Sequence, residues 1–210
     1  MTARNAFDAA FARCPLIAIL RGVRADEVES IGEALVGAGF AIIEVPLNSP
    51  EPLDSISRLA GRFEGRAVIG AGTVIQIDEV AAVAKAGGRL VVAPNTNPRV
   101  IAAAVEAGLV AVPGIFTPSE ALAALDAGAA ALKLFPAEAS SPAALKALSA
   151  VLPAGTRVLP VGGMVPEGLR QWRDAGAAGF GLGSALYSPG MEAPDVAAHA
   201  REFIAAWQAT

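Results

Sequence analysis

At 210 residues the chain is long enough for one domain of ordinary size with a sizeable core. Hydrophobic residues make up 54% but aromatics only 5%, so the apolar mass is Ala, Val, Leu and Ile, which excludes disorder and suits a layered α/β core. Sixteen Lys plus Arg against twenty Asp plus Glu give a formal net charge of -4, with no basic run to neutralise successive phosphates, so no nucleic-acid partner is expected.

The first stretch, Met1 to Cys14, carries Asp8 and other polar residues where a signal peptide would need unbroken apolar sequence, and the lone Cys14 cannot form an internal disulfide. A reducing cytoplasm is the expected location. No window approaches the ~20 consecutive apolar residues of a membrane span, so no membrane partner is expected. His199 is the single histidine, too little for a Ser/His/Asp triad or a multi-histidine metal centre.

Along the chain, Asn5 to Arg13 reads as a helix ahead of the first strand. Eight short apolar runs then read as strands: Leu16 to Leu20, Ile42 to Pro46, Val68 to Gly70, Leu90 to Ala93, Val110 to Val112, Ala131 to Leu134, Val158 to Val161 and Gly179 to Leu182. Helix starts are expected at Asp26, Ser49-Pro50, Asp78, Asn97-Pro98, Thr117-Pro118, Ser141-Pro142 and Val165-Pro166. Helix stops recur as Ala-Gly at Gly39, Gly87, Gly108, Gly128 and Gly176, spaced 48, 21, 20 and 48 residues apart. Halving the long gaps gives about 24 residues, the length of one strand-loop-helix unit. Eight units with near-continuous apolar strands predict a (β/α)8 TIM barrel, residues 1–210 forming a single domain, with the extra N-terminal helix plugging its bottom. An open doubly wound sheet is the alternative.

In such a barrel the active site lies at the C-terminal strand ends. The polar residues there are Arg21, Glu44, Asn48, Thr73, Asn95, Thr117 and Lys133, followed by the turns Gly162-Gly163 and Gly183-Ser184. Lys133 is one of only three lysines and interrupts an apolar strand. Burial lowers the pKa of an ammonium and frees a neutral amine for imine formation with a carbonyl; otherwise such a lysine serves as a structural partner of a core carboxylate. Strand alternation puts Ile42, Glu44 and Pro46 on one face, and Ala131, Lys133 and Phe135 on one face of the sixth strand. If both faces point inward, Glu44 meets Lys133, as a simple charge partner or as the proton shuttle that imine chemistry needs. The glycine turns after the last two strands occupy a common phosphate position, and Arg21 reads equally as a carboxylate fork or a loop ion-pair partner. Thr73, Asn95 and Thr117 read as ligand contacts or as turn and cap residues.

Taken in order, Pro15-Leu-Ile-Ala-Ile-Leu-Arg-Gly22, Glu44-Val-Pro-Leu-Asn-Ser-Pro50, Ile69-Gly-Ala-Gly-Thr-Val74, Ala93-Pro-Asn95, Val112-Pro-Gly114, Leu132-Lys-Leu-Phe-Pro136, Pro160-Val-Gly-Gly163 and Gly181-Leu-Gly-Ser184 resemble the class I aldolases of 2-keto-3-deoxy-6-phospho sugar acids. The resemblance implies a trimeric (β/α)8 barrel that releases pyruvate and D-glyceraldehyde 3-phosphate without metal or other cofactor. It implies Lys133 as imine-forming nucleophile and Glu44 as acid/base. Arg21 and Thr73 would hold the carboxylate, Pro94 and Phe135 would wall the pyruvyl group, and Gly162, Gly163, Gly183 and Ser184 would receive the phosphate. Asn48, where the gluconate branch of the family has arginine, and Val161, where it has threonine, resemble the galactonate branch, whereas Phe135-Pro-Ala-Glu-Ala139 continues as in the gluconate branch. A gluconate-type aldolase and a non-catalytic phosphosugar sensor are the alternatives.

Overall fold

Helices and parallel strands alternate along the whole of the computed structural model, which describes residues 1–209. α1 (Ala3–Arg13) precedes β1 (Leu16–Ile19); α2 (Val28–Ala38), β2 (Ile42–Pro46), α3 (Pro52–Arg62), β3 (Val68–Gly72), α4 (Ile77–Lys85), β4 (Leu90–Val92) and α5 (Pro98–Glu106) follow. Next come β5 (Val110–Val112), β6 (Gly114–Ile115), α6 (Pro118–Asp126), β7 (Leu132–Leu134), α7 (Pro142–Ser149), β8 (Val158–Pro160), α8 (Leu169–Asp174), β9 (Phe180–Leu182) and α9 (Ala193–Gln208). The eight expected strands are all present, the fifth continuing past Pro113 so that it counts as two segments.

The sheet is parallel and curled. Its six-stranded part runs β5-β4-β3-β2-β1-β9 and its three-stranded part β6-β7-β8. Val161 bridges Gly181, and Ala178 N–H donates to Val158 C=O at 3.0 Å, linking the β8 and β9 edges. Two apolar layers result from the alternation of side chains. Ile43 and Val45 of β2 and Leu132 and Leu134 of β7 face the helices, whereas Ile42, Ala131, Ile17, Val68, Leu90 and Val110 gather on the other side around Phe7 and Phe11 of α1. Arg157, just before β8, donates to Asp8 of α1 at 2.5 Å and lies over the Phe11 ring. The N-terminal helix is therefore packed into the inner layer by two phenyl rings and tied to the sheet by an ion pair.

The helix stops read from sequence all adopt positive φ, Gly39 at 116° for instance, which only glycine accepts without strain. Helix starts agree at Asn97, Thr117 and Ser141, whose side chains accept from the first-turn amides. Three begin elsewhere. α2 starts after Glu27 rather than Asp26, whose carboxylate is held by Arg24. α3 starts after Glu51, because the Ser49 hydroxyl that would have capped it accepts instead from Gly22 N–H. α4 starts after Gln76, where the Glu79 carboxylate accepts from the Ile75 and Gln76 amides and leaves Asp78 inside the first turn. Val165-Pro166 opens a single 3₁₀ turn ahead of α8, and α1 begins two residues earlier than read.

Phe7 is fully buried, so Phe7→Ala is expected to cost about 3–5 kcal/mol by opening a cavity in the inner layer. Urea unfolding checks this; a loss below about 1 kcal/mol would mean that α1 is not part of the cooperative core.

Candidate active site

Glu44 lies at the middle of β2 and Lys133 at the middle of β7; only 1% and 6% of their surfaces are exposed. Register places Glu44 beside Ile19 and Gly70, and Lys133 beside Gly114 and Leu159. Glycine at position 72 makes room for the carboxylate, since a Cβ there would fall 2.0 Å from Glu44 Oε2. That oxygen has no hydrogen-bond partner among the described residues. Burial therefore pushes the Glu44 carboxyl up from 4.5 to about 7, against the pull of the nearby Lys133 and Arg21 charges. Burial likewise lowers the Lys133 ammonium, with Arg21 adding to the effect and Glu44 opposing it. Its Nζ lies 4.6 Å from the centroid of the Phe135 ring, a contact that favours the charged form but is outweighed by desolvation. Each group is thus moved toward neutrality by the same apolar surroundings.

Lys133 and Phe135 open into a cavity of about 420 Å³ at the C-terminal strand ends. Arg21 enters it directly beyond β1, and Val161, Gly162 and Gly163 directly beyond β8. Gly183 and Ser184 complete it beyond β9. Gly162 and Gly163 both have positive φ, at 110° and 64°, so their turn needs glycine for its shape as well as for close approach. Eight residues singled out from sequence are brought together in this way, with Glu44 in the sheet beneath, coupled by charge to both Lys133 and Arg21.

Five others are placed outside the cavity lining: Asn48, Thr73, Pro94, Asn95 and Thr117, the last of which caps α6. Thr73 is half-buried beyond β3 with φ 58°, and Pro94 packs its carbonyl against Gly114, the register partner of Lys133. Conversely, sequence reasoning passed over Glu138 and Tyr187. The Glu138 side chain lies directly over the Gly162-Gly163 turn, where a Cβ on Gly162 would come within 2.1 Å of Oε2. Its only sequence signal was an acid five residues beyond the lysine. Tyr187 is buried beside the cavity and donates its hydroxyl to Glu27 at 2.9 Å; burial and that bond hold the phenol protonated well above its usual range. An amine that can be neutral, a carboxyl poised near neutrality and glycine turns with exposed backbone are the parts needed for carbonyl chemistry on an anionic substrate.

Residues 7–201 match the family model for KDPG and KHG aldolases. A protein of Rhizobium meliloti (strain 1021) named probable 2-dehydro-3-deoxy-6-phosphogalactonate aldolase is 46% identical over 93% of this chain and 92% of its own. The 2-dehydro-3-deoxy-6-phosphogalactonate aldolase of Escherichia coli (strain K12) is also 46% identical, over 93% and 96%. A solved structure described as native KDPGal superposes with a TM-score of 0.92 at 46% identity, covering 94% of this chain and 96% of that one. A lysine and glutamate buried in a parallel sheet, under a cavity edged by glycine turns, are thus carried by a chain that belongs to the KDPG and KHG aldolase family.

Proposed function

We propose that the chain is a class I aldolase that cleaves 2-dehydro-3-deoxy-6-phosphogalactonate to pyruvate and D-glyceraldehyde 3-phosphate, in galactonate catabolism. The observation that carries this is the burial of Lys133 and Glu44 in one charge-coupled pair at the floor of the cavity. Neutral Lys133 Nζ attacks the C2 ketone, and the carbinolamine loses water to give a protonated imine. Glu44 takes the C4 hydroxyl proton, through water. The C3–C4 bond then breaks, its electron pair passes into the enamine, and the aldehyde leaves. Glu44 returns a proton at C3, and hydrolysis of the imine releases pyruvate and restores the amine.

Arg21, with Thr73 from the neighbouring loop, receives the carboxylate; Pro94 and Phe135 wall the pyruvyl group. Gly162, Gly163, Gly183 and Ser184 receive the phosphate, supported by their convergence on the cavity rim. Val161 supplies an isopropyl group where a hydroxyl would bond the substrate, which favours one C4 epimer over the other. The same reading takes the chain as a single closed (β/α)8 barrel with α1 as its plug, supported by the links between β8 and β9. It works in the cytoplasm as a homotrimer. Ile75, Ile77, Phe116 and Leu122 leave apolar surface exposed for contacts between copies, and no described helix is long and apolar enough to cross a membrane.

Borohydride reduction in the presence of pyruvate should leave a stable adduct on Lys133, located by peptide mapping, and Lys133→Ala should abolish both adduct and turnover. Ligand binding without adduct or pyruvate release would replace the aldolase by a sensor. Comparing kcat/KM for the two C4 epimers should favour the galactonate compound; a preference for the gluconate compound would assign the chain to the other branch.

Cleavage should accelerate as pH rises through about 7, where Glu44 loses its proton, and Glu44→Gln should flatten that rise and lower kcat by about 10²–10⁴-fold while leaving imine trapping detectable. Stability moves the opposite way. Because the folded carboxyl titrates at about 7 rather than 4.5, the folded state loses stability as pH rises through that interval. Glu44→Gln should therefore raise the thermal midpoint more at pH 8 than at pH 4, and equal shifts would contradict the burial argument.

A further inference from the structure

The loops after β1 and β2 are fastened to each other at two adjacent points. Arg21 Nη1 donates to Asn48 Oδ1 at 2.6 Å, and the next amide, Gly22 N–H, donates to Ser49 Oγ at 2.9 Å. Ser49 is buried and Asn48 exposed. From the other side the loop after β9 closes in, since a Cβ on Gly22 would meet Pro189 at 2.7 Å, and Gly22 itself has φ 80°. The backbone carrying Arg21 is thus held on two sides, and its guanidinium is held by the amide of Asn48.

Fixing the head of so long a side chain costs rotamer entropy, and the bond to Asn48 reduces the part of that cost left for a ligand to meet. The acceptor's chemistry matters as well. A neutral amide oxygen uses one of the five guanidinium N–H groups and leaves the charge uncancelled, so a two-pronged fork remains for a planar anion in the cavity that Arg21 lines.

We propose that Asn48 is a positioning residue, whose amide oxygen orients Arg21 for bidentate capture of the substrate carboxylate without neutralising it. The inference rests on the reading above that Arg21 receives the carboxylate, and it makes the Asn48 side chain a determinant of affinity for 2-keto acids over ketones that lack a carboxylate.

The test is borohydride inactivation through Lys133, measured against the concentration of pyruvate and, separately, of acetone. Asn48→Ala should raise the half-saturating pyruvate concentration about fivefold, the effect of losing one hydrogen bond between exposed side chains. Asn48→Asp should raise it further, because its carboxylate competes with the ligand for the fork. Neither change should alter the dependence on acetone, so the preference for pyruvate over acetone falls in both. Wild-type half-saturation in both Asn48 variants would overturn the proposal, as would pyruvate and acetone weakening together, the sign of a merely structural role. Arg21→Gln separates the two levels. If it weakens pyruvate while the Asn48 variants do not, only the positioning role fails; if it leaves pyruvate unchanged, the carboxylate assignment fails and the proposal with it.

Discussion

A lysine and a glutamate share one apolar sheet interior, and neither can hold its charge there at ordinary cost. Water is the medium in which ammonium and carboxylate ions are stable, and both groups have almost none of it. Their mutual attraction recovers part of the loss, yet the carboxyl still titrates near neutrality and the ammonium below its usual range. The outcome is a carboxyl that holds its proton more tightly, and an ammonium that holds its proton less tightly, than the same groups in water. Such a pair is a poor contributor to stability, and the shift of both groups toward their neutral forms suits a proton-moving, nucleophilic role.

Everything around the pair serves to keep it dry, close and open on one side only. The inner layer of Ile, Val and Leu side chains is filled from below by Phe7 and Phe11, so the sheet interior beneath the pair is packed hydrocarbon. Glycine at position 72 gives the carboxylate its space, where any larger residue would displace it. On the open side, the loops beyond β1, β8 and β9 bring one cation and two glycine turns to the rim. Anionic groups at both ends of a substrate would then be met by a guanidinium and by backbone amides, with the reactive carbonyl between them. Glu138, whose side chain is exposed and lies over the Gly162-Gly163 turn, is the carboxylate among the described residues of the rim.

Much of this was legible in the linear sequence, for local reasons. Strand identity followed from short apolar runs, helix ends from Ala-Gly pairs, and the inward direction of Glu44 and Lys133 from period-two alternation, because each depends on backbone geometry within a few residues. Failures occurred where a side chain had a choice of partner. Ser49 looked like a helix cap until a distant amide, Gly22 N–H, claimed its hydroxyl, and Asp78 gave way to Gln76 because Glu79 reached back to the preceding amides. Thr73 and Pro94 stand at strand ends as the spacing implied, Thr73 with a positive φ and Pro94 with its carbonyl packed against Gly114. Glu138 and Tyr187 were missed because a loop residue's direction is set by the turn it packs on.

The sequence by itself determined the alternation of strands and helices, the family, and the two residues whose burial is chemically improbable without a use. Only the tertiary structure decided which polar groups share one cavity, how far Glu44 is shifted, and that Arg21 is held by a neutral amide from the next loop. The physical reason is one of range: hydrophobic patterning and capping act between near neighbours in the chain. Desolvation and hydrogen-bond choice are instead set by whatever the closing sheet brings alongside from residues far apart in it.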